Sequence, residues 1–171
     1  MRRVFLALLL SIAAVFTAQA QKYALIDMEY ILKNIPAYER ANEQLNQTSK
    51  KWQGEVEKLA EEAKTLYKNY QSESVFLSDE QKTQKEEEII AKEKAVAELR
   101  RQYFGPEGEL YKKQESLMRP IQDEIYNAVK EISNQKGYAL VIDRASASSI
   151  IYASPSIDIS NEVLARLGYS K

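Results

Sequence analysis

Hydrophobic residues recur along this chain with two different periods, and the change from one to the other predicts where strands give way to helices. Tyr23-Ala24-Leu25-Ile26-Asp27 is a short run that is apolar on both faces and reads as a buried strand, followed by a brief helical turn over 28–34. Pro36 then opens a helix, where its missing N–H costs nothing. From Pro36 to about Glu73 there is a single glycine, Gly54, and no further proline. Apolar or small residues stand at Tyr38, Ala41, Leu45, Thr48, Trp52, Val56, Leu59, Ala63, Leu66 and Tyr70, in alternating steps of three and four. That is a coiled-coil stripe with one stutter near Trp52 and Val56, where the supercoil should locally unwind. At about 1.5 Å per residue the helix is roughly 57 Å long.

The stripe ends at Ser72-Glu73-Ser74-Val75-Phe76-Leu77, and Ser78-Asp79-Glu80-Gln81 supplies capping chemistry for a second helix with Ser78 as N-cap. Residues 74–79 are therefore a hairpin tip. The return helix carries Ile89, Val96, Tyr103, Leu110 and Leu117 at heptad spacing, with Leu99 in the alternate slot. Phe104-Gly105-Pro106-Glu107-Gly108 interrupts it: Pro106 removes a backbone hydrogen bond and two glycines loosen the turn, which predicts a kink or a short break there, with Gly105, Pro106 and Gly108 as a hinge. Pro36 and Pro120 lie about equally far from the tip, as two antiparallel arms spanning 36–119 require.

Beyond Pro120 the pattern continues through Ile121, Ile125, Ala128, Val129 and Ile132 until Gly137 closes the helix. A second strand, Tyr138-Ala139-Leu140-Val141-Ile142-Asp143, nearly repeats the first. A turn over 146–149 leads to an expected third strand at 150–153, Pro155 ends it, and Ser160 should cap a last short helix carrying Val163, Leu164 and Leu167.

The first twenty residues read as an address. Arg2 and Arg3 precede an uncharged, mostly apolar stretch of about 13 residues and an Ala18-Gln19-Ala20 cleavage pattern, which predicts a signal peptide over 1–20 and a mature start at Gln21. The rival reading, an uncleaved anchor, needs about 20 apolar residues. The expected location is the periplasm or another space outside the cytoplasm. Of 171 residues, 24 are Lys or Arg, 25 are Asp or Glu, and none is Cys or His. That removes disulfides, thiol nucleophiles, histidine triads and imidazole-ligated metals, leaving carboxylates, Lys and Tyr as the possible catalytic groups. A formal charge of -1 gives no net attraction to phosphate, so nucleic acid is not an expected partner.

Without the hairpin, 21–35 and 120–171 make an α/β body of roughly 65 residues, a size at which one core is marginal. Its strands are apolar on both faces and need cover on both sides. Helices can cover one face; copies of the same chain should cover the other, so the body is expected to be an oligomerisation unit, with Ala24, Ile26, Leu140, Ile142 and Ile151 as interface candidates.

The order of export signal, strand, long helical hairpin, helix, strand pair and short helix resembles the Skp/OmpH family of periplasmic chaperones for outer-membrane proteins. Three segments carry the resemblance: YALIDMEYIL, FGPEGELYKKQESLMRPIQDEIYNAVKEI and YALVIDRASASSIIYASPSIDISNEVLARL. It implies a mainly α fold with a small β body, and a jellyfish-like trimer whose helical arms enclose a cavity. There, unfolded outer-membrane β-barrel proteins would be held without ATP. The chain has no phosphate-cradling loop, in keeping with that. Family members are often described with strongly basic arm tips. Here Lys64, Lys68, Lys82 and Lys85 are nearly offset by Glu73, Asp79 and Glu80, so membrane or lipopolysaccharide contact is expected to be weak at most.

Client-binding candidates are Tyr67, Tyr70, Val75, Phe76 and Leu77, apolar or amphipathic residues at or near the tip. The competing reading has Phe76 and Leu77 plug the hairpin end. Trp52 fits the seam between the arms, and Glu86-Glu87-Glu88 reads as a solvated helix start. Asp27 and Asp143, each ending a strand, are the only pair resembling catalytic carboxylates, and strand-end capping suits them better because no base, nucleophile or Gly-rich loop accompanies them. No enzyme activity, cofactor or metal is expected. The alternative to a holdase is a structural spacer or adaptor docking on a folded envelope partner.

Overall fold

The computed structural model describes residues 21–169; the expected signal peptide over 1–20 lies outside the described residues. In chain order the elements are β1 (Lys22–Ile26), α1 (Met28–Lys33), α2 (Pro36–Glu73), a 3-10 turn (Ser74–Phe76), α3 (Asp79–Phe104), α4 (Glu109–Lys136), β2 (Tyr138–Asp143), a second 3-10 turn (Pro155–Ile157) and α5 (Ser160–Arg166). Leu32–Ile125 forms one compact unit, and the described residues before and after it form another.

In the helical unit, α2 starts with Pro36 in its first turn, as its fixed φ favours. The predicted stripe is the buried side of the helix: Ala41, Val56 and Ala63 are buried, and Tyr38, Leu45, Thr48, Trp52, Leu59, Leu66 and Tyr70 are half-buried. The 3-10 turn reverses the chain, and α3 returns along α2 with Ile89 buried and Val96, Leu99 and Tyr103 half-buried. Ser78 is the N-cap of α3 in a complete capping box: its side chain accepts from the Gln81 N–H while the Gln81 side chain accepts from the Ser78 N–H. The helix stops at Phe104 and restarts at Glu109, so the Gly-Pro-Glu-Gly interruption is a true break. Pro120, by contrast, lies inside α4 and ends nothing.

In the other unit β1 and β2 pair in parallel, with Tyr23 opposite Leu140, Ala24 opposite Val141, Leu25 opposite Ile142 and Ile26 opposite Asp143. Buried in this unit are Ala24, Leu25 and Ile26 of β1 together with Ile31, Ala128, Ile132, Ile159, Val163 and Leu164. Gly137 closes α4 with a φ of 72°, the left-handed conformation that glycine adopts without a Cβ penalty. Arg166 reaches Glu131 and Lys136 reaches Glu162, fastening α5 to the end of α4.

Two expectations are corrected. Residues 150–153 form no strand: the edge of β1 away from β2 is met by a bridge from Leu25 to Asp158 instead, and Ile151 is fully exposed. Ser160 is the first residue of α5 rather than its N-cap. Its N–H donates to the Asp158 carboxylate at 2.9 Å, so the carboxylate two residues upstream does the capping.

Candidate functional site

At the tip, the 3-10 turn leaves its apolar side chains in solvent. Val75 and Phe76 are 80% and 86% exposed, whereas Leu77 is half-buried. Phe76 therefore does not plug the hairpin. The capping box immediately after the turn fixes the path of the backbone, so the two apolar side chains are presented on an ordered loop. Tyr67 is half exposed beside a shallow groove of about 320 Å³ lined by Ala60, Ala63, Lys64, Glu93 and Val96. Tyr70 is tied differently: its hydroxyl donates to Glu86, and that bond, with burial and the carboxylate charge, raises its pKa. Tyr67, Val75 and Phe76 thus stand in solvent, while Tyr70 is bonded to Glu86 and Leu77 is half-buried.

Three of the four lysines named near the tip are paired, partly with other acids than the sequence suggests. Lys64 pairs with Glu61 at 3.1 Å, Lys82 with Asp79 at 3.7 Å and Lys85 with Glu88 at 3.5 Å, each three residues apart on one helix face. Such exposed pairs contribute about 0.2–1 kcal/mol, but they leave little uncompensated positive field. Farther along, Lys92 donates to Glu62 across the hairpin at 2.8 Å and holds the Glu62 carboxyl below the usual range.

Trp52 lies in the seam as expected. Its ring stacks on Tyr103 with centroids 4.8 Å apart and planes 7° from parallel, and the Tyr103 hydroxyl donates to Glu55 at 2.6 Å. Hydrogen bonding to Glu55, then burial, raises the Tyr103 pKa. Sequence reasoning missed Glu55; the cue was a carboxylate one residue from a stripe position. Next to this layer is the break. A Cβ on Gly105 would come within 2.4 Å of the Arg101 carbonyl oxygen, and one on Gly108 within 2.8 Å of the carbonyls of Gln102 and Tyr103. These glycines are required by close backbone approach.

In the body, the two strand-end carboxylates are brought together by what they cap. Asp143 accepts from the N–H groups of Met28 and Ala145, both at 3.0 Å. Asp27 accepts from the Tyr30 N–H at 2.8 Å, and its other oxygen takes Arg144 Nε and Nη2 at 3.2 and 3.0 Å. Arg144 also reaches Asp158 at 3.4 Å, and the Ser160 hydroxyl accepts from the Asp27 N–H while donating to Asp158. Burial pushes the Asp143 carboxyl up, but the Met28 N–H and bonds from Ser146 and Ala145 outweigh it and hold it below the ordinary carboxylate range. The carboxylates are thus engaged in helix capping and ion pairing. Arg144 and Asp158 were not anticipated; the signal was an arginine directly after the strand's terminal Asp.

Of the interface candidates, Ala24 and Ile26 are buried within their own unit, Ile142 is half-buried, and Leu140 and Ile151 are exposed. Tyr152, at 83% exposure, joins Leu140 and Ile151 as apolar surface that the sequence reading had not named. Among the described residues no cluster of three or more acidic side chains could hold a metal ion, and no helix is long and apolar enough to cross a membrane.

Comparison with known proteins gives a consistent result. The family model described as outer membrane protein (OmpH-like) matches residues 22–167. The chaperone protein Skp of Yersinia enterocolitica is 27% identical over 155 residues, 91% of each chain. The chaperone protein Skp of Photorhabdus luminescens is 24% identical over 173 residues, covering 96% of this chain and 98% of the relative. The crystal structure of an OmpH-like protein from Caulobacter crescentus CB15 has the same fold, with a TM-score of 0.69 at 12% identity over 86% of this chain and 83% of that one.

Proposed function

The chain belongs to the Skp/OmpH family, whose relatives above are named chaperones, and on that premise we propose that it is an ATP-independent holdase for unfolded outer-membrane β-barrel proteins. The observation that carries the reading is the pair Val75 and Phe76, large apolar side chains held in solvent on a capped turn. Full burial of such a side chain contributes about 1.5–3 kcal/mol, too little for one arm to retain a client. Several arms acting on one unfolded chain multiply weak contacts through effective concentration, and none needs a fixed geometry.

The reading includes a homo-oligomer, a trimer by family resemblance, in the periplasm after removal of residues 1–20. Support comes from the body: Leu140, Ile151 and Tyr152 are apolar and uncovered, and β2 has no second strand neighbour among the described residues. A catalytic role is not part of the proposal, because Asp27 and Asp143 are engaged in capping.

The test is suppression of turbidity when a denatured porin is diluted into buffer with stoichiometric mature protein and no nucleotide. Aggregation should fall for the native chain and largely return for the Val75→Ser, Phe76→Ser double variant, whose circular dichroism should be unchanged. Undiminished turbidity with the native chain, or capture of one folded envelope protein instead of many unfolded chains, would favour the adaptor reading. Sedimentation of Leu140→Glu with Ile151→Glu should show dissociation.

A further inference from the structure

The interruption between α3 and α4 has the composition of a hinge, yet its geometry is that of a closed joint. Both its glycine amides are engaged: the Gly105 N–H donates to the Arg101 carbonyl at 2.8 Å and the Gly108 N–H to the Gly105 carbonyl at 2.9 Å, while the Gly108 carbonyl accepts from the Lys112 N–H of α4 at 3.1 Å. Gly108 is buried, and added Cβ atoms at Gly105 and Gly108 would strike backbone carbonyls, so the chain is folded tightly on itself at both glycines. Neither glycine has a positive φ; each is selected for size.

The break also sits level with the irregularity in the opposite arm. Tyr103, in the last turn before it, stacks on Trp52 and donates to Glu55, and Trp52 is the residue at which the α2 stripe takes consecutive four-residue steps. A stutter unwinds the supercoil locally, so the helix facing it must change phase to stay in contact. An interruption in that helix supplies the change. Phe104 packs edge-on against Tyr103, centroids 6.3 Å apart, extending the aromatic layer into the first residue of the interrupted segment.

We propose that residues 104–108 are a fixed phase-correcting elbow, locked by the Trp52–Tyr103–Glu55 layer, and that the arm bends there only when that layer opens. Trp52, Tyr103 and Glu55 are then positioning residues for the arm, a role independent of which client it holds.

Hydrogen exchange of the full mature protein, read on peptides covering 74–112, tests this. In the unaltered chain, amides over 105–112 should exchange within about tenfold of those over 89–100. Trp52→Leu should accelerate 105–112 by about tenfold or more while leaving 80–95 unchanged, and Tyr103→Phe, which keeps the ring and removes the bond to Glu55, should give a smaller acceleration in the same segment. Exchange of 105–112 in the unaltered chain as fast as at the 74–78 tip would overturn the proposal. So would both variants leaving that segment unchanged. Should Trp52→Leu unfold the whole arm, Tyr103→Phe decides by the same criterion.

Discussion

The helical unit and the strand-bearing unit are stabilised in opposite ways. The hairpin repeats one device: the stripe of α2 meets the stripe of α3 turn after turn, mostly through small or medium apolar residues, with the Trp52–Tyr103 layer as the large aromatic exception. The body depends on a few contacts between residues far apart in the chain. Asp143 and Met28 are 115 residues apart, Arg144 and Asp27 are 117, and Ser160 and Asp27 are 133. Stability in the hairpin is therefore distributed, whereas in the body it is concentrated in a small core and one polar network. Closing such distant contacts also costs more chain entropy, so the body has less margin for losing any of them.

The largest effect that follows is in the body core. Ile132 is fully buried, and Ile132→Ala should cost about 2–5 kcal/mol through lost transfer energy and an uncollapsed cavity. Leu59→Ala, in a half-buried hairpin layer, should cost about 1 kcal/mol, because solvent already reaches that side chain. Urea unfolding of both variants, followed by circular dichroism, measures the contrast. Equal losses would break it.

The polar network should reveal itself through pH. Asp143 has a folded pKa below its ordinary value, so the folded state favours its charged form. Its contribution is complete above the ordinary carboxylate pKa and is lost as pH falls through the depressed folded value. Urea midpoints taken from pH 7 down to pH 3 should decline in the native chain and decline less in Asp143→Asn. That variant should already be weaker at pH 7 by about 1.5–3 kcal/mol, the worth of hydrogen bonds to a charged acceptor. Parallel declines for the two proteins would remove Asp143 from the account.

The same contrast explains what the sequence disclosed. Helix periodicity, the Ser78 cap, the Trp52 seam and the Gly137 stop are local signals, and each was legible because residues within one or two turns specify it. The body was legible only in its strands. Residues 150–153 have the composition of a third strand, but strand formation needs a ladder partner, and Asp158 occupies the place beside β1. Ser160 looked like an N-cap because serine is favoured at that position; Asp158 does that work, freeing the Ser160 hydroxyl to bridge to Asp27. At the tip, spacing located Val75 and Phe76 but not their exposure, since a turn residue can as easily fold inward. The partners of Arg144 could not be assigned from local pattern, because Asp27 is 117 residues away and Asp158 lies beyond the irregular segment that follows β2.

The smallest effect tests whether the hairpin is governed by local propensity. Gly54 lies in the interior of α2 on an exposed face, and a Cβ added there meets nothing within 4 Å. Alanine in its place loses less backbone entropy on folding and adds no strain, so Gly54→Ala should raise stability by about 0.5–1 kcal/mol. The increase should appear as a higher urea midpoint with an unchanged slope, since neither state gains or loses much surface. A lower midpoint would mean that the open face of α2 at residue 54 meets a neighbouring chain in solution. The hairpin would then share the body's dependence on contacts outside its own sequence pattern, and the contrast between the two units would narrow to the tip-side layers alone.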